Sequence, residues 1–267
     1  MVGDNLLLKE KQAELTRLKE EFLDLFKKHE DLCKENFVIY NRYNLTFGQK
    51  FYERYLLYCE NERLRRKIEM YQAYLNRGER IDKGFVETML DAELRENELR
   101  LETLLQEYQN AQEFEKLPVL SPEEDDEIDR IYLKIAKRIH PALHPDFAET
   151  QKDLWLKATN AYGSNDLEAL QACEVIVDGL GEEAPPEDDK MDAEIENIKK
   201  KNEELKNQNL AIIGSFPYNQ KELLSDSEWV QDKLDEIEND IKLFRESMEF
   251  LKGKLKEIDP TYEKEIC

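Results

Sequence analysis

Val230–Ile258 reads VQDKLDEIENDIKLFRESMEFLKGKLKEI, and the spacing of its apolar residues decides the fold class. Val230, Leu234, Ile237, Ile241, Phe244, Met248, Leu251, Leu255 and Ile258 recur at alternating steps of four and three without a miss. A 3.5-residue period held this long puts all of them on one stripe of an α-helix, the seam of a coiled coil. Asp259-Pro260 ends it, since proline disfavours helix at the residue before it. Upstream, Met191, Ile195, Ile198, Asn202 and Leu205 repeat the same alternation, and Gly214-Ser215-Phe216-Pro217 separates the two seams. So short a link predicts that 191–259 folds back on itself as an antiparallel hairpin turning at Gly214–Asn219.

The same reading extends to the N-terminal part. Leu15, Leu18, Phe22, Leu25, His29 and Leu32 are spaced 3-4-3-4-3, a seam with one polar member. Asn44–Gly48 predicts a bend or break, and Asn76-Arg77-Gly78 predicts a left-handed cap ending a second helical stretch. A further helix is expected from Lys83 to Lys116, so that 1–117 forms a helical hairpin or bundle. Ser121-Pro122-Glu123-Glu124 is a helix start: Ser121 caps an orphan amide, Pro122 suits the first helical position, and Glu124 completes a capping box. Two prolines and five acids within Glu182–Asp189 read as an exposed linker. The expected plan is all-α, with units at 1–117, 118–181 and 191–259, a linker at 182–190 and a tail at 260–267.

Composition narrows the function. Charged residues make up 37% of the 267 and apolar ones 40%, the balance of long amphipathic helices half in water. A net charge of −22 argues against nucleic acid as a partner, because phosphate contacts need a basic face. The cysteines at 33, 59, 173 and 267 form no close pair and read as reduced thiols, without a prenylation tail at Cys267. Met1-Val2-Gly3-Asp4-Asn5 carries an acid where a signal peptide needs basic residues, and no apolar run nears the ~20 residues of a membrane span. A cytoplasmic protein with no membrane partner is the expectation.

The candidate site is Tyr132–Asp146, YLKIAKRIHPALHPD. Ile128, Ile131, Ile135 and Ile139 make one helical face flanked by Tyr132 and Ala136, while Lys134, Lys137 and Arg138 lie opposite. The helix must stop before Pro141. A second amphipathic helix follows, carrying Leu154, Trp155, Ala158, Ala161 and Tyr162. On these residues the stretch resembles a J domain, the co-chaperone module that engages DnaK-type ATPases. The family's second helix runs Tyr-x-x-Leu-Ala-x-x-x-His-Pro-Asp, and Tyr132, Ile135, Ala136, His140 and Pro141 fall on it in register. Ala161-Tyr162 matches a pair usual in its third helix. The whole chain also looks like a group of bacterial J-domain-like proteins that embed the module between long helices, with Asn-Arg-Gly-Glu at Asn76–Glu79 and Phe-Pro-Tyr at Phe216–Tyr218.

The resemblance implies a partner-binding surface at Lys134, Lys137, Arg138, His140, Pro141 and Ala142. Departures qualify it: there is no room before Ser121 for the family's first helix, Gly163–Asp166 ends the third helix early, and the tripeptide itself differs. Ala142 stands where the family has Asp, which puts stimulation of an ATPase in question. His144-Pro145-Asp146 spells the tripeptide one turn later, but that register would run a helix through Pro141. A plain helix–proline–helix hairpin without the kinship stays open as the bland alternative.

Other clusters carry less. His140 and His144 are four apart with Asp146 near, but Pro141 and Pro145 break the helical face that a zinc pair would need, so no metal is expected. The eight aromatics between Phe37 and Tyr58 read as bundle core rather than binding surface. Arg63–Lys67 reads as a solvated face paired with the chain's own glutamates. No phosphate loop, nucleophile elbow or metalloprotease motif occurs, so neither an enzyme nor a cofactor is expected. The leading expectation is a non-enzymatic J-domain-like scaffold, an inactive or regulatory co-chaperone. A working co-chaperone recruiting a DnaK-type ATPase, or a structural protein that self-associates through its coiled coils, are the alternatives.

Overall fold

A 75-residue helix, α1, runs from Val2 to Asn76. The computed structural model describes residues 2–117, 119–145, 147–181 and 188–261. Asp146, most of the expected linker and the tail after Thr261 lie outside them. Among the described residues there is no strand, and all regular structure is helical. The break expected at Asn44–Gly48 does not occur. Phe47 is fully buried there, and a Cβ on Gly48 would meet the Tyr108 ring at 3.1 Å, so the glycine serves a close approach of helices. Its propensity cost of about 1 kcal/mol is small beside that packing. At the other end Gly78 adopts φ +70°, and the amides of Gly78 and Glu79 bond back to Leu75 and Tyr74.

After α1 come α2 (Lys83–Glu93) and α3 (Arg95–Glu115), parted at Leu94, where the sequence predicts one helix. Next are α4 (Pro122–Ile139), α5 (Glu149–Gly163) and α6 (Leu167–Asp178). The last are α7 (Asp188–Gly214) and α8 (Ser227–Ile258), with two short 3-10 turns between them. Ser121 caps α4 with both bonds of the capping box in place, and Asp82, Asp166 and Asp226 cap α2, α6 and α8.

The chain divides into two units, and neither is one continuous piece of sequence. The first is 1–36 with 118–216; the second is 37–117 with 217–267. This differs from the sequential division expected above, and the reason is which helices cover the seams. In the first unit Asn202 Nδ2 donates to the Leu18 carbonyl at 3.1 Å, and Asn209 Nδ2 donates to the Leu25 carbonyl at 3.2 Å. Both numbers rise by seven together, so α7 runs parallel to α1. Ion pairs Lys199–Glu14 and Lys206–Glu21 repeat that register. The buried face of α7, from Met191 to Leu205, joins Leu15, Leu18, Phe22 and Phe26 in one core with α4, α5 and α6.

The second unit repeats the arrangement. Lys50 pairs with Glu238, Arg54 with Asp240, and Asn61 Nδ2 donates to the Phe244 carbonyl at 2.9 Å, so α8 also runs parallel to its stretch of α1. Arg63 pairs with Glu87 and Asp91, and Tyr55 with Asn97, which sets α2 and α3 antiparallel to the same stretch. Tyr71, Leu64 and Ile68 meet Val86, Leu90, Leu251 and Leu255. Every seam residue of α8 is buried or half-buried. The fold-back expected for 191–259 is therefore replaced: α7 belongs to the first core and α8 to the second. Heptad spacing names the stripe a helix buries; it does not name the helix that covers it.

Spin labels test the parallel register. Labels at Glu14 and Lys199, and separately at Glu21 and Lys206, should both lie within about 20 Å, two helix diameters. A long Glu14–Lys199 distance together with a short Glu14–Lys206 distance would overturn parallel pairing.

Candidate functional site

Four isoleucines anchor the candidate site. Ile128, Ile131, Ile135 and Ile139 are fully buried on one face of α4, with Tyr132 and Ala136 beside them. That leaves Lys134, Lys137 and Arg138 on the outer side. The helix ends at Ile139, and His140 is extended at φ −67°, ψ 129°, the conformation favoured before proline. A tight turn follows, in which the amides of Leu143 and His144 bond back to the His140 carbonyl.

His140 is half-buried, with its ring packed among aromatics. Its ring lies 4.9 Å from Phe22, 4.8 Å from Phe26 and 4.7 Å from Trp155, centroid to centroid and edge to face. Its Nδ1 accepts from the Ala142 amide at 3.0 Å, so the neutral ring carries its proton on Nε2. Burial, with a smaller contribution from His144, lowers its pKa to about 4. His144 is engaged too: its Nε2 lies 2.9 Å from the Lys137 carbonyl, and its ring stacks on Phe147 at 4.5 Å. Among the described residues no group of three acids, histidines or cysteines could hold a metal ion.

The basic face is largely occupied from within the first unit. Lys134 Nζ lies 2.8 Å from Glu174 and 2.8 Å from Asp178 of α6. These two carboxylates, Asp178 first, hold the ammonium above its ordinary value. Arg130 adds a 3.6 Å contact to Glu174. Arg138 donates to the carbonyls of Leu180 at 2.8 Å and Gly181 at 3.2 Å, the first residues beyond α6 and its Gly179 cap. Lys137 alone of the three is exposed with no carboxylate partner among the described residues. Pro141 is exposed and Ala142 half-buried.

Helix α6 went unread in the sequence. Its signal was there: Leu170, Cys173 and Val177, spaced three and four, are its buried residues. Glu174 and Asp178 sit on an adjoining face. On the far side of α4, Asp129 receives Lys34 at 2.8 Å, Lys27 at 3.0 Å and the Tyr162 hydroxyl at 2.9 Å. Burial pushes the Asp129 carboxyl up, but these three donors outweigh it and hold the carboxyl below its usual range. The network ties α1, α4 and α5 together.

The other clusters resolve into structure. Arg63, Arg66 and Lys67 are paired with Glu87, Asp91, Glu93 and Glu69, and Arg65 with Glu62. Of the aromatics between Phe37 and Tyr58, Phe47 is wholly buried and Tyr43 and Phe51 pack around it, while Phe37 is exposed on one side and meets Phe114 at 5.1 Å. No helix among the described residues is long and apolar enough to cross a membrane. No protein-family model matches the chain, and no curated protein or solved structure matches it.

The half-buried His140 gives stability a specific pH dependence. Its folded pKa is depressed, so the unfolded state binds the proton first and stability falls as pH drops from about 6.5 towards about 4. By pH 5 the loss should reach ~2 kcal/mol. His140→Gln, which keeps an acceptor for the Ala142 amide and cannot charge, should remove that loss. Equal denaturant midpoints shifts for wild type and variant between pH 7 and pH 5 would refute this.

Proposed function

We propose that the chain is a non-enzymatic interaction or scaffold protein of the J-domain-like class, an inactive or regulatory co-chaperone. The observation that carries this reading is the engagement of the α4 basic face by α6. In the family it resembles, that face is offered to a DnaK-type ATPase. Here Glu174 and Asp178 neutralise Lys134, and the backbone after α6 takes Arg138. An acidic partner must compete with these internal groups for the same cations. His140, enclosed by three aromatic rings and bonded to the next turn, has no free polar edge to lend beyond Nε2. Ala142 supplies no carboxylate, the acceptor whose charged hydrogen bonds are typically worth ~1.5–3 kcal/mol. The exposed faces of α1, α7 and α8 supply surface for protein partners, and self-association is one outcome of such surfaces.

The reading predicts that wild type leaves the hydrolysis rate of a DnaK-type ATPase from the same cell at its basal value. Glu174→Gln with Asp178→Asn, added to Ala142→Asp, should raise that rate several-fold, because the first two substitutions release Lys134 and the third restores the acid. Stimulation by wild type would refute the inactive reading in favour of a working co-chaperone. Failure of the triple variant, with helicity intact and no complex at low salt, would leave a module that is J-like in shape alone.

A further inference from the structure

One group of side chains in the first unit has no part in that reading. On α1, His29 and Cys33 are one turn apart, and the Cys33 sulfur lies 3.6 Å from His29 Nε2. Across the pair, His29 Nδ1 lies 2.8 Å from Asn209 Oδ1 on α7. Asn209 is 3% exposed, and its Nδ2 donates to the Leu25 carbonyl. That bond fixes which way the amide points. Its oxygen faces the imidazole, so Nδ1 of the neutral ring carries the hydrogen and Nε2 presents a lone pair to the thiol. A thiol, a base within reach and a third group orienting the base are the parts of an assisted nucleophile. Unlike Cys173, which is buried, Cys33 is exposed and a small molecule can reach it.

We infer that Cys33, His29 and Asn209 form a thiol-modification site, in which His29 acts as base and Asn209 as the residue positioning it, and which takes a small neutral or cationic disulfide. Burial and the Glu30 carboxylate push the Cys33 thiol up, so at neutral pH the sulfur keeps its proton until it reacts. A raised thiol is a stronger nucleophile once deprotonated, and a base already in contact can take the proton in the same step. Cys33 gives its proton to His29 Nε2 as its sulfur attacks one sulfur of the reagent. The reagent's S–S bond breaks, the departing thiolate carries away that electron pair, and the proton passes to it from His29. The products are a mixed disulfide on Cys33 and one free thiol. The choice of reagent charge follows from Glu30, the charged group that acts on the thiol.

Peptide-resolved mass spectrometry on the full folded chain, treated with 2-hydroxyethyl disulfide at neutral pH, tests this. Cys33 should react ahead of Cys59 and Cys173. His29→Ala should slow Cys33 tenfold or more, and added imidazole should restore part of the rate in that variant while leaving wild type nearly unchanged. Asn209→Ala should slow it several-fold. Glutathione disulfide, which is anionic, should react more slowly than the neutral reagent. The inference fails if Cys33 is not the fastest of the three, or if His29→Ala reacts like wild type. It also fails if imidazole speeds both proteins by one factor. Where His29→Ala loses helicity, His29→Gln, which keeps an amide towards Asn209, carries the same expectation and the same refutation.

Discussion

Inside an α-helix each carbonyl already accepts one hydrogen bond, from the amide four residues on, and still has a second lone pair. Leu18 and Leu25 give that lone pair to Asn202 and Asn209, and Phe244 gives its own to Asn61. An asparagine buried in an apolar seam is costly unless it finds such an acceptor, so each pair holds only at one register and one polarity. Sliding α7 by one turn against α1 would strand these amides among leucines and isoleucines. The parallel direction follows from them, and with it the need for a long excursion between paired helices. Parallel helices cannot be joined by a tight turn, and α2–α6 make that excursion.

What was legible in the sequence was local. The seams of α7 and α8 are the buried stripes the spacing names, the capping box at Ser121 forms, and Gly78 takes the left-handed cap. What was not legible was the choice of partners. A seam with a 3.5 period is equally satisfied by a neighbour of either direction, and the short link at 214–219 favoured the wrong neighbour. Asn202 held the missing information, but an asparagine in a seam declares its partner only when the facing carbonyl is known. The same limit applies to Gly48, which reads as a breaker until Tyr108 is placed against it.

At the candidate site the split is similar. The helix-ending role of Pro141 and the inward face of α4 follow from residue chemistry alone. That Lys134 would be held by α6, and Arg138 by the backbone just beyond it, does not, because Glu174 and Asp178 look like any other solvated acids of a chain at −22. Excess acid here is partly structural. Lys27, Lys34, Lys134 and Arg63 each meet two carboxylates, so cations act as clamps between acidic helices. Such pairs on half-exposed surfaces contribute little singly, and more where they share a network with a half-buried member such as Asp129.

The interleaving of the two units has a consequence for synthesis. Leu18 and the asparagine that bonds it are 184 residues apart. At ordinary elongation rates the ribosome needs roughly 10–40 s to bridge that gap. Through that interval the apolar stripe bearing Leu15, Leu18, Phe22 and Phe26 emerges without α7, and α4 to α6 are made before it arrives. The nascent chain therefore carries that apolar flank bare until α4 to α6 emerge, and without its closing helix until α7 is made. Premature release, by a stalled ribosome or a nonsense codon before residue 188, would leave both units without their closing helix at once.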